Sequence, residues 1–208
     1  MARLEDVLEL YAEPADEQRP VVCMDELSKE LHGQVAEPIA PQPGQPAKED
    51  YAYQRNGTAD VFVLLGPLPG WRHLAVTARR GYQEFAQLME ARVDVYFPQA
   101  AVIRLVPDNL NTQVFGASYE TFTPEEARRI AKRLEFQDTP KHGSRLNMAE
   151  REFSVLGRQC LTRRIATAEE LTTEIRAWQQ QRNEAQTKIV WTFRVADARR
   201  KLHRIYPS

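Results

Sequence analysis

The sequence predicts an α/β fold built on a mixed β-sheet with helices packed against it. Three observations carry that expectation. Short apolar runs cluster in the first third of the chain, and from about residue 81 they alternate with stretches of helical periodicity. The length of 208 residues suits one large domain or two very small ones. Apolar residues make up 42% and charged residues 27%, the balance of a globular protein rather than a disordered or fibrous one.

The elements follow in order. Residues 1–11 form an amphipathic helix, with Leu4, Val7, Leu8 and Tyr11 at helical spacing. Pro14 and Pro20 break it, and the apolar run PVVCMD (20–25) reads as a short buried strand. Residues 38–50 hold four prolines and a glycine and can only be an extended loop, an insertion rather than a domain boundary. The runs DVFVLL (60–65) and WRHLAVT (71–77), joined by GPLPG, pair as an antiparallel hairpin. Residues 81–93 place Tyr82, Phe85, Leu88, Met89 and Val93 on one helical face. AAVIRLV (100–106) is another strand, ending at Pro107 and Asp108.

Thr123, Pro124, Glu125 and Glu126 open the next helix: a threonine cap, proline at the first position and acids in the first turn. That helix runs to about residue 134, with a short strand over 135–139. Further helices are expected over about 146–161 and 168–185, the second capped by Thr167. The last stretch, 189–207, reads as a short extended piece and a basic helix. No internal repeat is found.

Composition excludes several classes. There is no apolar run of about 18 residues, so no transmembrane helix is expected. The amino terminus carries three acids in its first nine residues and lacks a signal-peptide core, so the expected location is the cytoplasm. Cys23 and Cys160 lie far apart without CxxC spacing, which suggests neither a disulfide framework nor a zinc site. The net charge is −1, yet residues 1–120 carry −8 and residues 121–208 carry +7. Such a division hints at a face that binds a polyanion, although basic helices with solvated surfaces would give the same count.

Three carboxylates stand in suggestive places. Asp25 closes the run VVCM and Asp108 closes VIRLV, and ligands of open α/β sheets sit beyond the carboxyl ends of strands. An aspartate there can also simply start a turn. In LNMAEREFSVLGRQCL, Glu150 lies four after Leu146 and three before Phe153, which assigns it to the inward face. Glu152 is assigned outward. An inward carboxylate needs a metal or a cationic partner such as Arg104 or Lys141. Two strand-end aspartates and a helical glutamate form a hard-oxygen set suited to Mg²⁺ or Mn²⁺, and two such ions can drive an in-line phosphoryl displacement. His73 and His142 read as structural, and Trp178 and Trp191 as core.

At these residues a resemblance emerges. The segments VVCMDELSK (21–29), YQRNGTADVF (53–62), GWRHLAVT (70–77), PDNLNT (107–112), TPKHGSRLNMAERE (139–152) and RQCLTRRI (158–165) resemble bacterial insertion-sequence transposases of the mariner-related DDE superfamily, the DDE superfamily endonucleases. The likeness runs from about residue 4 to the end and keeps the motif order. It implies a ribonuclease H-like fold, a sheet with helices on both faces, and a bacterial, cytoplasmic protein.

Residue by residue, it implies a catalytic and metal-holding triad of Asp25 in CMDE, Asp108 in DNLNT and Glu150 in LNMAE, with Glu26 and Asn109 as site neighbours. It implies Mg²⁺ or Mn²⁺ as cofactor, and cutting of element ends followed by joining to target DNA. Lys141, His142, Arg145, Arg163, Arg164, Arg199, Arg200 and Lys201 are the candidate DNA contacts, and self-association to a dimer or higher is expected. Three positions depart from the family pattern: Gln113 replaces a histidine, Arg145 a tryptophan, and Met24 an aromatic.

Only 24 residues precede Asp25, too few for a helix-turn-helix module, so residues 1–208 are expected to be one catalytic domain without end-binding modules. The alternative is a non-catalytic transposase remnant that binds DNA or transposase subunits. A different ribonuclease H-like nuclease would use the same carboxylates, but the DNLNT and LNMAE contexts disfavour it.

Overall fold

A computed structural model describes residues 2–36, 42–44, 51–107, 114–140 and 143–204. Its strands are β1 (Val21–Gln34), β2 (Tyr53–Gly66), β3 (Trp71–Thr77), β4 (Ile103–Pro107) and β5 (Leu134–Phe136). The helices are α1 (Ala2–Leu10), α2 (Tyr82–Ala91), α3 (Val114–Thr121), α4 (Pro124–Ala131), α5 (Met148–Gln159), α6 (Ala168–Glu184) and α7 (Val195–Lys201). A π-helical turn, Arg92–Tyr96, extends α2, and a 3₁₀ turn, Ser144–Leu146, precedes α5.

The five strands form one sheet in the order β3-β2-β1-β4-β5. β1, β2 and β3 run antiparallel, the β2–β3 hairpin as its turn signals predict, while β4 lies parallel to β1 and β5 parallel to β4. Both strands of the first pair are longer than their apolar runs. β1 and β2 continue pairing from Cys23↔Leu65 out to Gln34↔Tyr53, through an irregularity between Glu30 and His32. The outer half of that ribbon is largely exposed, so no apolar run marked it.

Strand alternation divides the core into two layers. Val21 and Cys23 of β1 pack with Val61, Val63, Leu65 and Val106 against α1, α5, α6 and α7. Val22 and Met24 point the other way, with Phe62, Leu64, Ile103 and Leu105, against α2 and Ile130 of α4. Helices thus cover both faces. This mixed sheet, with its antiparallel hairpin and parallel crossovers, is the ribonuclease H-like arrangement implied above.

Local chemistry explains several boundaries. Thr123 caps α4 by accepting from the Glu126 N–H, and Thr167 caps α6 through the Glu170 N–H. In the β2–β3 turn Gly70 has φ of 73°, and a Cβ there would come within 2.5 Å of the Gln186 carbonyl oxygen, so only glycine lets the turn dock on the end of α6. Helix α3 was not foreseen, because Val-Phe-Gly at its start interrupts any clear apolar periodicity. No helix among the described residues is long and apolar enough to cross a membrane.

Candidate catalytic site

The site begins at the last described pair of the central parallel ladder. β1 and β4 pair from Val21↔Arg104 to Met24↔Pro107, the residues immediately before Asp25 and Asp108. Asp25 does not close its strand, since β1 runs on beside β2 with Asp25 opposite Val63. It directly follows Met24, the last β1 residue of the described pairing with β4. By alternation from Cys23 it faces the α5 layer. Its Oδ1 accepts the Glu26 N–H at 2.8 Å, and the residue is partly exposed. Asp108, Asn109, Lys141 and His142 lie outside the described residues.

The third carboxylate is carried by α5. Asn147 caps this helix: its side-chain oxygen accepts the Ala149 N–H at 3.0 Å. The same amide donates through Nδ2 to the Met24 carbonyl at 2.7 Å, entirely buried. Tyr11 donates to the Leu146 carbonyl at 2.9 Å from the opposite side. The first turn of α5 is therefore tied to the peptide unit that leads into Asp25, and Glu150 lies within that turn.

The orientation inferred from periodicity is overturned here. Glu150 is partly exposed, whereas Glu152 is 1% exposed and points into the core. The phase was set from Leu146, which belongs to the 3₁₀ turn and not to the helix. The buried positions within α5 are Met148, Ala149, Glu152 and Leu156, a stripe with Glu152 at its centre. Glu152 is matched by cations from distant elements. Arg72 of β3, wholly buried, brings Nε to 2.7 Å, and Arg182 of α6 approaches with Nε at 3.0 Å and a second nitrogen at 3.2 Å. Burial lowers the Arg72 pKa from its ordinary value, and Glu152 pulls it back up.

Glu150 has no such partner. Among the described residues its carboxylate makes no ion pair or hydrogen bond. Arg104, considered as its counter-ion from sequence, is taken by Glu13 and by the Arg19 carbonyl. A partly exposed glutamate without a partner among the described residues, on a helix whose cap is bonded to the residue before Asp25, fits a divalent cation bound by hard oxygens. A separate group of acids, Glu90, Asp94 and Glu126, lies on the opposite side of the sheet, with Asp94 and Glu126 both bound by Arg129.

The remaining candidates are scattered. Glu26 pairs with Arg80 at 3.2 Å. Arg145, exposed in the 3₁₀ turn, stands five residues before Glu150 and has no ion pair among the described residues. Arg163 and Arg164 follow the far end of α5; Arg163 pairs with Glu170 and Glu174, and Arg164 donates to the Ala52 carbonyl and lies 5.9 Å from the Tyr53 ring. On α7, Arg199 pairs with Glu5, Arg200 with Asp197, and Lys201 lies over Phe193. The basic half is thus laced with exposed ion pairs, not a single open patch.

His73 bonds Tyr96, and Trp178 is buried with its Nε1 donating to Gln159, both structural roles. Asn147 and Thr139 went unremarked in the sequence. An asparagine ahead of a helix signals a cap, but nothing local signals a second bond to a strand.

Fold and site together define an α/β protein of the ribonuclease H-like class. The chain belongs to the DDE superfamily endonucleases, whose family model matches residues 20–172. Among solved structures it is similar to the Mos1 strand transfer complex, with 13% identity over 90% of this chain and 56% of that one, at a TM-score of 0.59. The Mos1 mariner paired end complex with Mn gives 13% identity, 89% and 57% coverage, and a TM-score of 0.58. A pre-cleavage Mos1 transpososome gives 15%, 90% and 61%, at 0.50. The chain spans less than two thirds of the length of each of these. No curated protein sequence matches it.

Proposed function

We propose that this chain is the metal-dependent DNA endonuclease and strand-transferase core of a DDE transposase. The observation that carries the reading is Glu150, without a described partner, on a helix turn whose cap is bonded to the residue preceding Asp25. Asp25, Asp108 and Glu150 are the residues that would hold Mg²⁺ or Mn²⁺. When bound, such ions activate an attacking oxygen and stabilise a leaving oxygen at phosphorus.

The chain's own residues would bind and orient the substrate. Arg145, five residues ahead of Glu150 in the 3₁₀ turn, would meet a phosphate near the cut strand. Asn109, Lys141 and His142 belong to the same motifs by sequence. Arg163, Arg164, Arg199, Arg200 and Lys201 would meet duplex DNA further out, exchanging weak surface ion pairs for phosphates. The similar solved structures are a strand transfer complex and paired end complexes of another transposase, which supports DNA as the partner and self-association of the protein. Residues 1–208 form one catalytic domain in this reading, with the proline-rich stretch 38–50 inserted between β1 and β2.

The test is nicking of labelled duplex DNA in Mg²⁺ or Mn²⁺. Asp25→Ala and Glu150→Gln are expected to lower the rate by more than about 100-fold while the protein stays folded. Nicking that survives either change would sink the proposed site. Duplex binding should weaken steeply as salt rises, and a flat response would remove the basic residues from the interface.

A further inference from the structure

Backbone bonds join the strands of the parallel ladder at their ends. The Pro20 carbonyl accepts from Arg104 N–H at 2.9 Å, and the Leu105 carbonyl accepts from Gln137 N–H at 2.8 Å. At the final described pair of the parallel ladder, buried side chains also bond the strand carbonyls. Asn147 Nδ2 donates to the Met24 carbonyl at 2.7 Å, and Thr139 Oγ1 donates to the Pro107 carbonyl at 3.4 Å. Both side chains belong to residues that are 0% exposed. Each carbonyl is part of the peptide unit that leads into an aspartate, Asp25 in one case and Asp108 in the other.

We propose that Asn147 and Thr139 are positioning residues that set the geometry of the metal-holding carboxylates. The inference rests on the nuclease reading and deepens it. Fixing a carbonyl fixes the plane of its peptide unit, and so the point from which the next side chain departs. Asn147 does more, because its other end caps α5 at the Ala149 N–H. One planar amide thereby links the turn that bears Glu150 to the strand that bears Asp25. The residue type is dictated by this double task. Aspartate or serine would cap the helix equally well, but an ionised aspartate has no donor and serine is too short to reach both groups. Only one orientation of the amide satisfies both contacts.

The test uses the full chain and reads Mn²⁺ binding by electron paramagnetic resonance, alongside melting and DNA nicking. Asn147→Ser keeps the cap and removes the tether. Thr139→Val removes the hydroxyl at nearly constant shape, and Thr139→Ser restores it. Asn147→Ser and Thr139→Val are expected to remain folded and to bind Mn²⁺ about 10–100-fold more weakly, with nicking recovered at raised Mn²⁺. Thr139→Ser is expected to return the affinity to the wild-type value.

Folded Asn147→Ser and Thr139→Val proteins that bind Mn²⁺ like wild type would overturn the positioning role and leave the nuclease reading standing. A wild-type protein that binds no Mn²⁺ would overturn both. Should Asn147→Ser fail to fold, Asn147→Asp, equal in size and cap, and Thr139→Val decide the matter by the same measurement.

Discussion

Glu150 and Glu152 are two residues apart on one helix, and the fold buries Glu152 in an ion pair while leaving Glu150 partly exposed. Replacing Glu152 by glutamine keeps its shape and removes its charge, leaving Arg72 wholly buried without a counter-ion. Arg72 retains hydrogen bonds to the Gly70 and Thr187 carbonyls, at 3.2 and 2.6 Å, but these are neutral acceptors. Breaking one side of a buried ion pair costs about 3–5 kcal/mol. Arg182 adds less, because its side chain is 15% exposed and water can solvate it. With a urea dependence of about 2–3 kcal/mol per molar, the unfolding midpoint should fall by roughly 1–2 M.

Glu150→Gln, by contrast, should leave the midpoint within about 0.3 M, since its carboxylate holds nothing in the described fold. Urea unfolding followed by circular dichroism at pH 7 measures both. An unchanged midpoint in Glu152→Gln, or an equal loss in Glu150→Gln, would refute the assignment of structural and catalytic roles. Replacing Glu152 and Arg72 together by leucine and methionine should recover part of the loss, because two apolar side chains need no partners.

Two further expectations concern buried groups with shifted titration. Cys23 is wholly buried, with the Tyr11 hydroxyl 3.2 Å from its sulfur, and burial pushes its thiol from 9.0 to about 11. The unfolded thiol ionises first as pH rises, so stability present below about pH 9 is lost toward pH 11, on the order of 2–3 kcal/mol. Urea midpoints at pH 8 and 10.5 should therefore diverge more in wild type than in Cys23→Ala, and parallel pH dependence in the two proteins would contradict this.

Arg92 is also fully buried, its guanidinium 3.4 Å from the Met89 sulfur and 3.7 Å from the Met24 sulfur, with Nε lacking a hydrogen-bond partner. Burial drives its pKa down to about 9. Arg92→Met should stabilise the protein by about 1–3 kcal/mol, seen as a melting point several degrees higher, and a lower melting point would show that the charge is better satisfied than these contacts indicate.

Much of this fold was legible from the chain alone. The β3 run matches its strand to both ends, the Thr123 and Thr167 caps open the helices where expected, and the mixed sheet follows from the order of apolar runs, while helices on both faces were implied by the family resemblance. These features depend on contacts within a few residues or on a two- or 3.6-residue period, which a sequence displays directly. The motif order was equally legible; it pointed to the family whose model matches residues 20–172, and it named Asp25, Asp108 and Glu150 as candidate acids.

What the chain could not display was the partner of each charge. Periodicity put Glu150 inward and Glu152 outward, whereas Arg72, 80 positions earlier on β3, and Arg182 on α6 make Glu152 the buried one. The same holds for Asn147, recognisable only as a cap until β1 comes within 2.7 Å of its amide. The sequence by itself determined most of the elements, α3 and the outer β1–β2 ribbon excepted, together with the family and the identity of the candidate acids. Tertiary structure alone decided which acid the core neutralises and which stays partly exposed, because burying a charge is tolerated only where another element supplies its opposite.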